Sequence, residues 1–143
     1  MASAQHAIIV DIDMTLALLN GRDPYNASTA DQDELNIHVA DIVQCYQHHH
    51  PDHQTLLITG RPTSYKAPTE AFLTKHGIRY HQLFMRDPDD WRGDDVYKRE
   101  VYENHVKYRF TIHAVFEDRL SCCRMWHSLG LPLFRVGDPE SIF

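Results

Sequence analysis

Long hydrophobic runs are absent from this 143-residue chain. Nothing approaches the roughly 20 apolar residues that span a bilayer, so a helical membrane protein is excluded. The start, MASAQHAIIV, has no basic leader and no small-residue cleavage site, and secretory export is not expected. Cysteine is scarce: Cys45, Cys122 and Cys123 make no CxxC and no disulfide framework. That usage suits a reducing, cytoplasmic setting in which thiols act as small hydrophobes. Basic residues are outnumbered, 14 Lys+Arg against 20 Asp+Glu, for a formal charge of −6. Such a balance argues against broad wrapping of nucleic acid but leaves room for a local basic site around one phosphate group. No GxxxxGK[ST] loop occurs, so ATP-dependent phosphorylation by this chain is not expected.

What is present is the composition of an ordinary globule, 43% hydrophobic and 24% charged. The length supports one domain, residues 1–143, able to bury about two-thirds of its unfolded surface. There is no internal repeat and no low-complexity linker. His6 to Ile12 reads as a buried strand, and Asn20 to Gln32 as a polar loop. Leu35, Val39, Ile42, Val43 and Tyr46 recur at helical spacing, with Asp31 or Asp33 placed to cap. Thr55 to Thr59 is a second strand, Thr69 to His76 a helix stopped by Gly77, and Tyr80 to Met85 a third strand. Asp94 reads as the cap of a helix reaching about Tyr108, with Val96, Val101, Tyr102 and Val106 on its buried side. Thr111 to Phe116, Leu120 to Leu129 and Leu133 to Val136 follow as strand, helix and short strand. Alternation of this kind predicts a doubly wound, three-layer α/β fold on a parallel sheet of about five strands.

In such sheets, ligands bind beyond the carboxyl ends of the strands. Asp11 and Asp13 fall there after the first strand, Thr59 after the second, and Glu117 and Asp118 after the fourth; Lys98 lies in the first turn of a helix that begins on that edge. Crowded carboxylates repel unless a cation sits among them. An all-oxygen donor set suits a hard ion, most naturally Mg²⁺, while lysine and a threonine hydroxyl suit phosphate oxygens. A carboxylate nucleophile beside a second carboxylate that shuttles a proton gives phosphoryl transfer through an aspartyl-phosphate.

The ordered motifs DIDMT, LLITG, a lysine and FED resemble the haloacid dehalogenase superfamily of phosphohydrolases. The resemblance implies Asp11 as nucleophile and metal ligand, and Asp13 as general acid, then base, with its carbonyl on the metal. Thr59 and Lys98 would hold the transferring phosphoryl group, Asp118 would complete the Mg²⁺ site, and Thr15 would support the strand-end loop and be counted with the substrate side. Within the superfamily, DIDMTLALLNGRDPYN, TGRP, RGDDVYKREVY and EDRLSCCRMWHSLG look like the 3′-phosphatase domain of bacteriophage polynucleotide kinase-phosphatase. By that closer likeness Arg22 and Arg61 would contact the nucleotide phosphate, and Asp94 would orient Lys98 or an arginine. Two departures stand out. Met14 occupies a position where the family often has glycine. Glu117 replaces an aspartate, which favours a role behind the metal over a direct bond.

Superfamily members that act on small metabolites usually carry an inserted cap domain. Here the intervals Asp13–Thr59 and Thr59–Lys98 are used up by core elements, so no cap is expected. An open site favours a phosphate at a polymer end. Arg22, Arg61, Arg86, Arg92 and Arg119 could neutralise nearby phosphates, and Trp91 could stack on a base. The reading is a Mg²⁺-dependent phosphatase for 3′-phosphate ends of DNA or RNA, a repair task, alongside a separate 5′-kinase or ligase. Two alternatives stay open: a small-molecule phosphatase such as a nucleotidase, and a non-catalytic module that binds phosphate ends.

Plainer readings exist for each residue. Asp11 and Asp13 could form a strand-ending turn, Thr59 could be turn chemistry before Gly-Arg-Pro, and Lys98 could pair with Asp94 one helical turn away. Glu117 and Asp118 could cap the following helix. His48, His49, His50 and His53 suggest zinc, but consecutive histidines on a helix point in different directions; contact with the helix C-terminus and solvent is the expectation.

Overall fold

The computed structural model describes residues 4–143; Met1–Ser3, part of the stretch read for a leader, lie outside them. Five parallel strands form the central sheet: β1 (Gln5–Val10), β4 (Gln54–Pro62), β5 (Gln82–Arg86), β6 (Phe110–Glu117) and β7 (Leu133–Arg135), in the spatial order β5-β4-β1-β6-β7. The intervening pair β2 (Ala17–Leu18) and β3 (Glu34–Leu35) makes a small antiparallel ribbon. Four helices complete the layers: α1 (Ile37–His49), α2 (Lys66–Lys75), α3 (Asp94–Val101) and α4 (Leu120–Ser128). The expected doubly wound class is the one observed.

Side chains alternate across each strand, so β1 feeds two cores. Ile8 and Val10 pack with Val39 and Val43 of α1 and Phe72 and Leu73 of α2. Ala7 and Ile9 pack on the opposite face with Val101 of α3 and Met125 and Trp126 of α4. The chain leaves β1 for β4 and β5, then returns to β6 on the other side of β1. The direction of winding therefore reverses between β1 and β6, and a crevice opens where their carboxyl ends diverge.

Four local details differ from the sequence reading. The residues flanking the Asn20–Gln32 loop pair as the β2–β3 ribbon, so Leu35, read as the first apolar position of the helix, lies in β3, and the fully buried Leu16 and Ala17 carry the chain back onto the core. Helix α1 is preceded by Asn36, not capped by Asp31 or Asp33, and Ile42 faces solvent. Gly93 precedes α3, Asp94 makes no cap hydrogen bond, and Val96 is exposed. Finally, α3 does not run on evenly to Tyr108. It opens at Tyr102–Val106 into a wider turn in which the Lys107 amide donates to the Tyr102 carbonyl, five residues back, at 2.8 Å. Val101 and Val106 are both buried. Five residues of α-helix would separate them by about 140° around the axis. The extra residue in the turn brings Val106 back to the sheet, as π-type bulges do.

Among the described residues no helix is long and apolar enough to cross a membrane. Phe72, with no exposed surface, joins α2 to the sheet. Phe72→Ala is expected to cost about 3–5 kcal/mol in chemical denaturation, with little change in the denaturant dependence of the free energy.

Candidate active site

The site grows from the end of β1. The amides of Thr15, Leu16 and Ala17 all donate to the Ile12 carbonyl, folding the chain into a tight turn directly beyond the strand. Met14 sits in this turn at φ 60°, a left-handed conformation that glycine adopts freely and methionine does not. That accounts for the family's glycine at this position. Here the strain, of order 1–3 kcal/mol, is held in place by the buried residues on either side.

The turn presents Asp11 inward and Asp13 towards the cleft. Asp11 is nearly buried, and its Oδ1 accepts from the Lys98 ammonium at 2.9 Å. Lys98 is 2% exposed and also donates to Glu117 Oε2 at 2.7 Å. It reaches this position from the face of α3 that also buries Tyr97 and Val101, residues at i−1 and i+3. Thr15, fully buried, donates to Asp118 Oδ1 at 3.1 Å and stands 3.4 Å from Asp11 Oδ2. Thr15 therefore bridges two carboxylates from below, and its placement is that of a support and not of a surface on which substrate could rest.

One carboxylate oxygen from each of Asp11, Glu117 and Asp118 lies within 4.8 Å of the others. Burial pushes Asp118 up to about 8 and Glu117 to about 7, with the Asp11 charge adding to both. Burial pushes Asp11 the same way, but the Lys98 ammonium and hydrogen bonds outweigh it and leave the carboxyl below its ordinary value. For Lys98, burial acts downward and is overcome by Asp11 and Glu117, so the amine stays charged. The arrangement is one ion pair plus carboxylates that cannot all ionise alone. A divalent cation fits this oxygen donor set. Glu117 fits it least as a direct ligand: Oε2 faces Lys98 and the Trp126 indole N–H (3.3 Å), and Oε1 accepts from the Asp118 amide (3.2 Å).

A second charged layer lies beside the first. Arg61 donates to both oxygens of Asp13, at 2.9 and 2.8 Å, and Arg22 to Asp13 Oδ1 at 3.0 Å. Both arginines also reach Asp33, Arg22 at 2.7 and 2.8 Å and Arg61 at 3.2 Å. Asp33 is buried and acts as the counter-charge of the pair. Its pattern in the sequence, an acid just ahead of a helical run, is equally that of a cap, and no local signal separates the two. Thr59 is fully buried, and its Oγ1 accepts from the Arg61 amide at 3.1 Å. Asp94 pairs with Arg86 at 3.3 Å and Arg119 at 3.0 Å, not with Lys98. It packs so closely on β4 that a Cβ on Gly60 would stand 2.5 Å from its carboxylate, which is why glycine follows Thr59. Arg92, which is not part of the cleft wall, pairs with Asp90 and Glu100.

Above these layers opens a cleft of about 390 Å³ lined by Asp11, Asp13, Asp118, Arg119, Tyr25 and Trp91, among others. Tyr25 and Trp91 are 76% and 91% exposed. The elements between the strands are short, and among the described residues no cap domain covers the opening. Cys122 and Cys123 are both buried, and burial raises both thiols, Cys123 to about 11, so neither offers a thiolate at neutral pH.

A capless parallel α/β core with acids at the β1 and β6 ends and a buried lysine between them defines the chain as a haloacid dehalogenase-type phosphohydrolase, an enzyme of the phosphoric monoester hydrolase class. Residues 5–140 match the model of the polynucleotide kinase PNKP phosphatase domain, and the chain belongs to that family. A putative bifunctional polynucleotide kinase/RNA ligase of Autographa californica nuclear polyhedrosis virus is 30% identical over 130 residues, covering 88% of this chain and 18% of the viral one. Two solved structures, of a Pnkp1/Rnl/Hen1 complex and of the Pnkp1/Rnl/Hen1 RNA repair complex, match at 41% and 40% identity with TM-scores of 0.89 and 0.91. Each match covers 96% of this chain, and 48% and 44% of the respective partner. A class C acid phosphatase from Bacillus anthracis, 17% identical with a TM-score of 0.63 over 98% of this chain and 69% of that one, shares the fold. The chain thus spans less than half the length of the viral relative and of the two matched complex chains.

Asp118 and Glu117 hold protons more tightly in the fold than when unfolded. The stability this provides is complete below the unfolded values of 3.8 and 4.5 and is lost as pH rises through about 8 for Asp118 and about 7 for Glu117. Cation-free protein is therefore expected to melt at lower temperature at pH 8 than at pH 5. Asp118→Asn should remove part of that loss, raising the midpoint at pH 8 by about 2–4 °C for each 1 kcal/mol recovered. Calorimetry in the presence of a chelator reads the difference, and identical midpoints for the two proteins at pH 8 would contradict it.

Proposed function

We propose that this chain is a Mg²⁺-dependent polynucleotide 3′-phosphatase that frees a 3′-hydroxyl at nucleic acid ends. The observation that carries the reading is the charged, buried Lys98 fixed against Asp11 and Glu117 directly beneath an uncapped cleft with aromatic walls. Asp11, kept ionised by Lys98, attacks phosphorus, and the bond from phosphorus to the 3′ oxygen breaks to leave an aspartyl-phosphate. Asp13, entering the step with a proton taken from solvent, gives it to the departing 3′ oxygen, then as a carboxylate takes one from the water that attacks the aspartyl-phosphate, releasing inorganic phosphate and restoring both Asp11 and the protonated Asp13. An ammonium has three donors, of which Lys98 spends two on Asp11 and Glu117; the third is available to the transferring phosphoryl group. Thr59 is the second candidate donor to that group. Asp11, Asp118 and the Asp13 carbonyl would hold Mg²⁺, with Glu117 supporting Lys98 from behind. The cation supplies charge neutralisation for the phosphoryl oxygens.

Arg22 and Arg61 fill a role other than free phosphate receptors. They aim Asp13, and while Asp13 is ionised the two arginines balance Asp13 and Asp33. The proton that Asp13 carries as general acid leaves one positive charge on that side, towards the phosphate. A polymer end, not a small metabolite, fits the open cleft, and Trp91 and Tyr25 are placed to stack on terminal bases. The relatives found in an RNA repair complex and in a kinase/RNA ligase support RNA ends first and DNA ends second, with 5′-kinase and ligase activities as partners.

Incubated with Mg²⁺ and a 3′-phosphorylated oligonucleotide, the protein should release phosphate. Asp11→Asn should reduce release by at least about 10⁴-fold while retaining the fold by circular dichroism. Rapid hydrolysis of free mononucleotide with no release from the oligonucleotide would overturn the polymer reading. Trp91→Ala should raise KM for the oligonucleotide about tenfold, in line with the 1–3 kcal/mol of a stacked base, and leave kcat nearly unchanged.

A further inference from the structure

At the opposite edge of the sheet, three histidines far apart in the sequence converge. His6 is the second residue of β1, His53 ends the turn between α1 and β4, and His113 lies in β6. The β1–β6 register pairs Ala7 with Ile112 and Ile8 with Ala114, so His113 is the extra residue of a bulge. Bulges re-aim a side chain. The three ring centroids form a near-equilateral triangle with sides of 4.8, 4.9 and 5.0 Å. One nitrogen of each ring lies within 4.8 Å of the other two, and His6 Nδ1 is 2.8 Å from His113 Nε2. Tyr46 Oη is 2.7 Å from His53 Nδ1.

We propose that His6, His53 and His113 form a binding site for a transition-metal dication, Zn²⁺ foremost, separate from the acidic cluster. Tetrahedral Zn²⁺ with nitrogen bonds of about 2.0–2.1 Å places its ligand nitrogens about 3.4 Å apart, within the spacings found here. With the His53 Nδ1–H donated to the Tyr46 hydroxyl, Nε2 presents a lone pair, the usual outer hydrogen bond of a ligating histidine. The hydrogen shared by His6 and His113 moves to the outer nitrogen of its own ring, so each ring offers a lone pair. A water molecule takes the fourth position. Imidazole donors suit Zn²⁺, Cu²⁺ and Ni²⁺ and not Mg²⁺, which selects oxygen. The two sites therefore sort ions by chemistry. The bound ion would tie β1, β6 and the α1–β4 turn together at the edge farthest from the cleft.

The test is calorimetric titration of chelator-stripped protein with Zn²⁺ in excess Mg²⁺, together with NMR of the histidine rings. One Zn²⁺ per chain is expected, with shifts at His6, His53 and His113 and a raised melting midpoint. His113→Gln and His6→Gln, both at exposed positions, should each weaken binding at least about tenfold. Without Zn²⁺ they should melt as the unmodified protein does, which separates ligation from folding. Asp118→Asn should bind Zn²⁺ as before. No binding at about 0.1 mM Zn²⁺, a hundredfold above a micromolar Kd, binding unaffected by the histidine substitutions, or binding lost with Asp118→Asn would each overturn the proposal.

Discussion

The buried contact between the Lys98 ammonium and the Asp11 carboxylate, 2.9 Å apart with almost no water around either, sets the terms for everything near it. Deleting one member of such a pair leaves an uncompensated charge in a poor dielectric, a penalty of about 3–5 kcal/mol. The surrounding residues read as answers to that constraint. Glu117 balances the second donor of Lys98, the Trp126 indole and two backbone amides satisfy Glu117, and Thr15 ties Asp11 to Asp118. Because Lys98 keeps Asp11 ionised, the remaining acids are pushed towards protonation, and the cluster as a whole is prepared for a dication.

The fold serves this balance by bringing two strand ends and a helix face to one place. Asp11 and Glu117 are fixed by neighbouring parallel strands, and the Asp11 amide donates to the Phe116 carbonyl at 3.0 Å, locking one end to the other. Lys98 arrives from α3, whose position depends on Tyr97, Val101 and the widened turn that returns Val106 to the core. The close approach of Asp94 to Gly60 joins α3 to β4 near Thr59. Lys98 and Glu117 stand on α3 and β6, and Asp11 and Asp118 follow directly on the ends of β1 and β6, while the exposed Tyr25 and Trp91 lie on loops.

The sequence was informative wherever a residue's role followed from its position along an element. The five strands, the helix stops at Gly77 and Gly130, and the gathering of Asp11, Asp13, Thr59, Lys98, Glu117 and Asp118 on one edge follow from hydrophobic period and strand order. It was silent where a role depends on what lies across the fold. Asp33 looks like a cap and is the counter-charge to two arginines. Asp94 looks like a cap, a partner of Lys98 or a partner of an arginine, and the fold takes the last of these with Arg86 and Arg119, which no local pattern singles out. His53 sits beside a run of histidines that cannot share an ion, while its neighbours in space come from strands 47 and 60 residues away. Local pattern does not encode such pairings; only the sheet order and the bulge in β6 bring them about.

The arginine layer explains how an open, acidic chain can still receive a phosphate. Were Arg22 and Arg61 unpaired, they would be two buried cations with no compensation, and the fold would bear the cost at all times. Paired with ionised Asp13 and Asp33, they are compensated. In the proposed reaction the proton that Asp13 carries as general acid leaves part of the arginine charge uncompensated beside the phosphate, and passing that proton to the departing oxygen restores the pairing. The positive field thus belongs to one protonation state of Asp13 and is not displayed permanently. It would add a local attraction for phosphate within a chain of net charge −6.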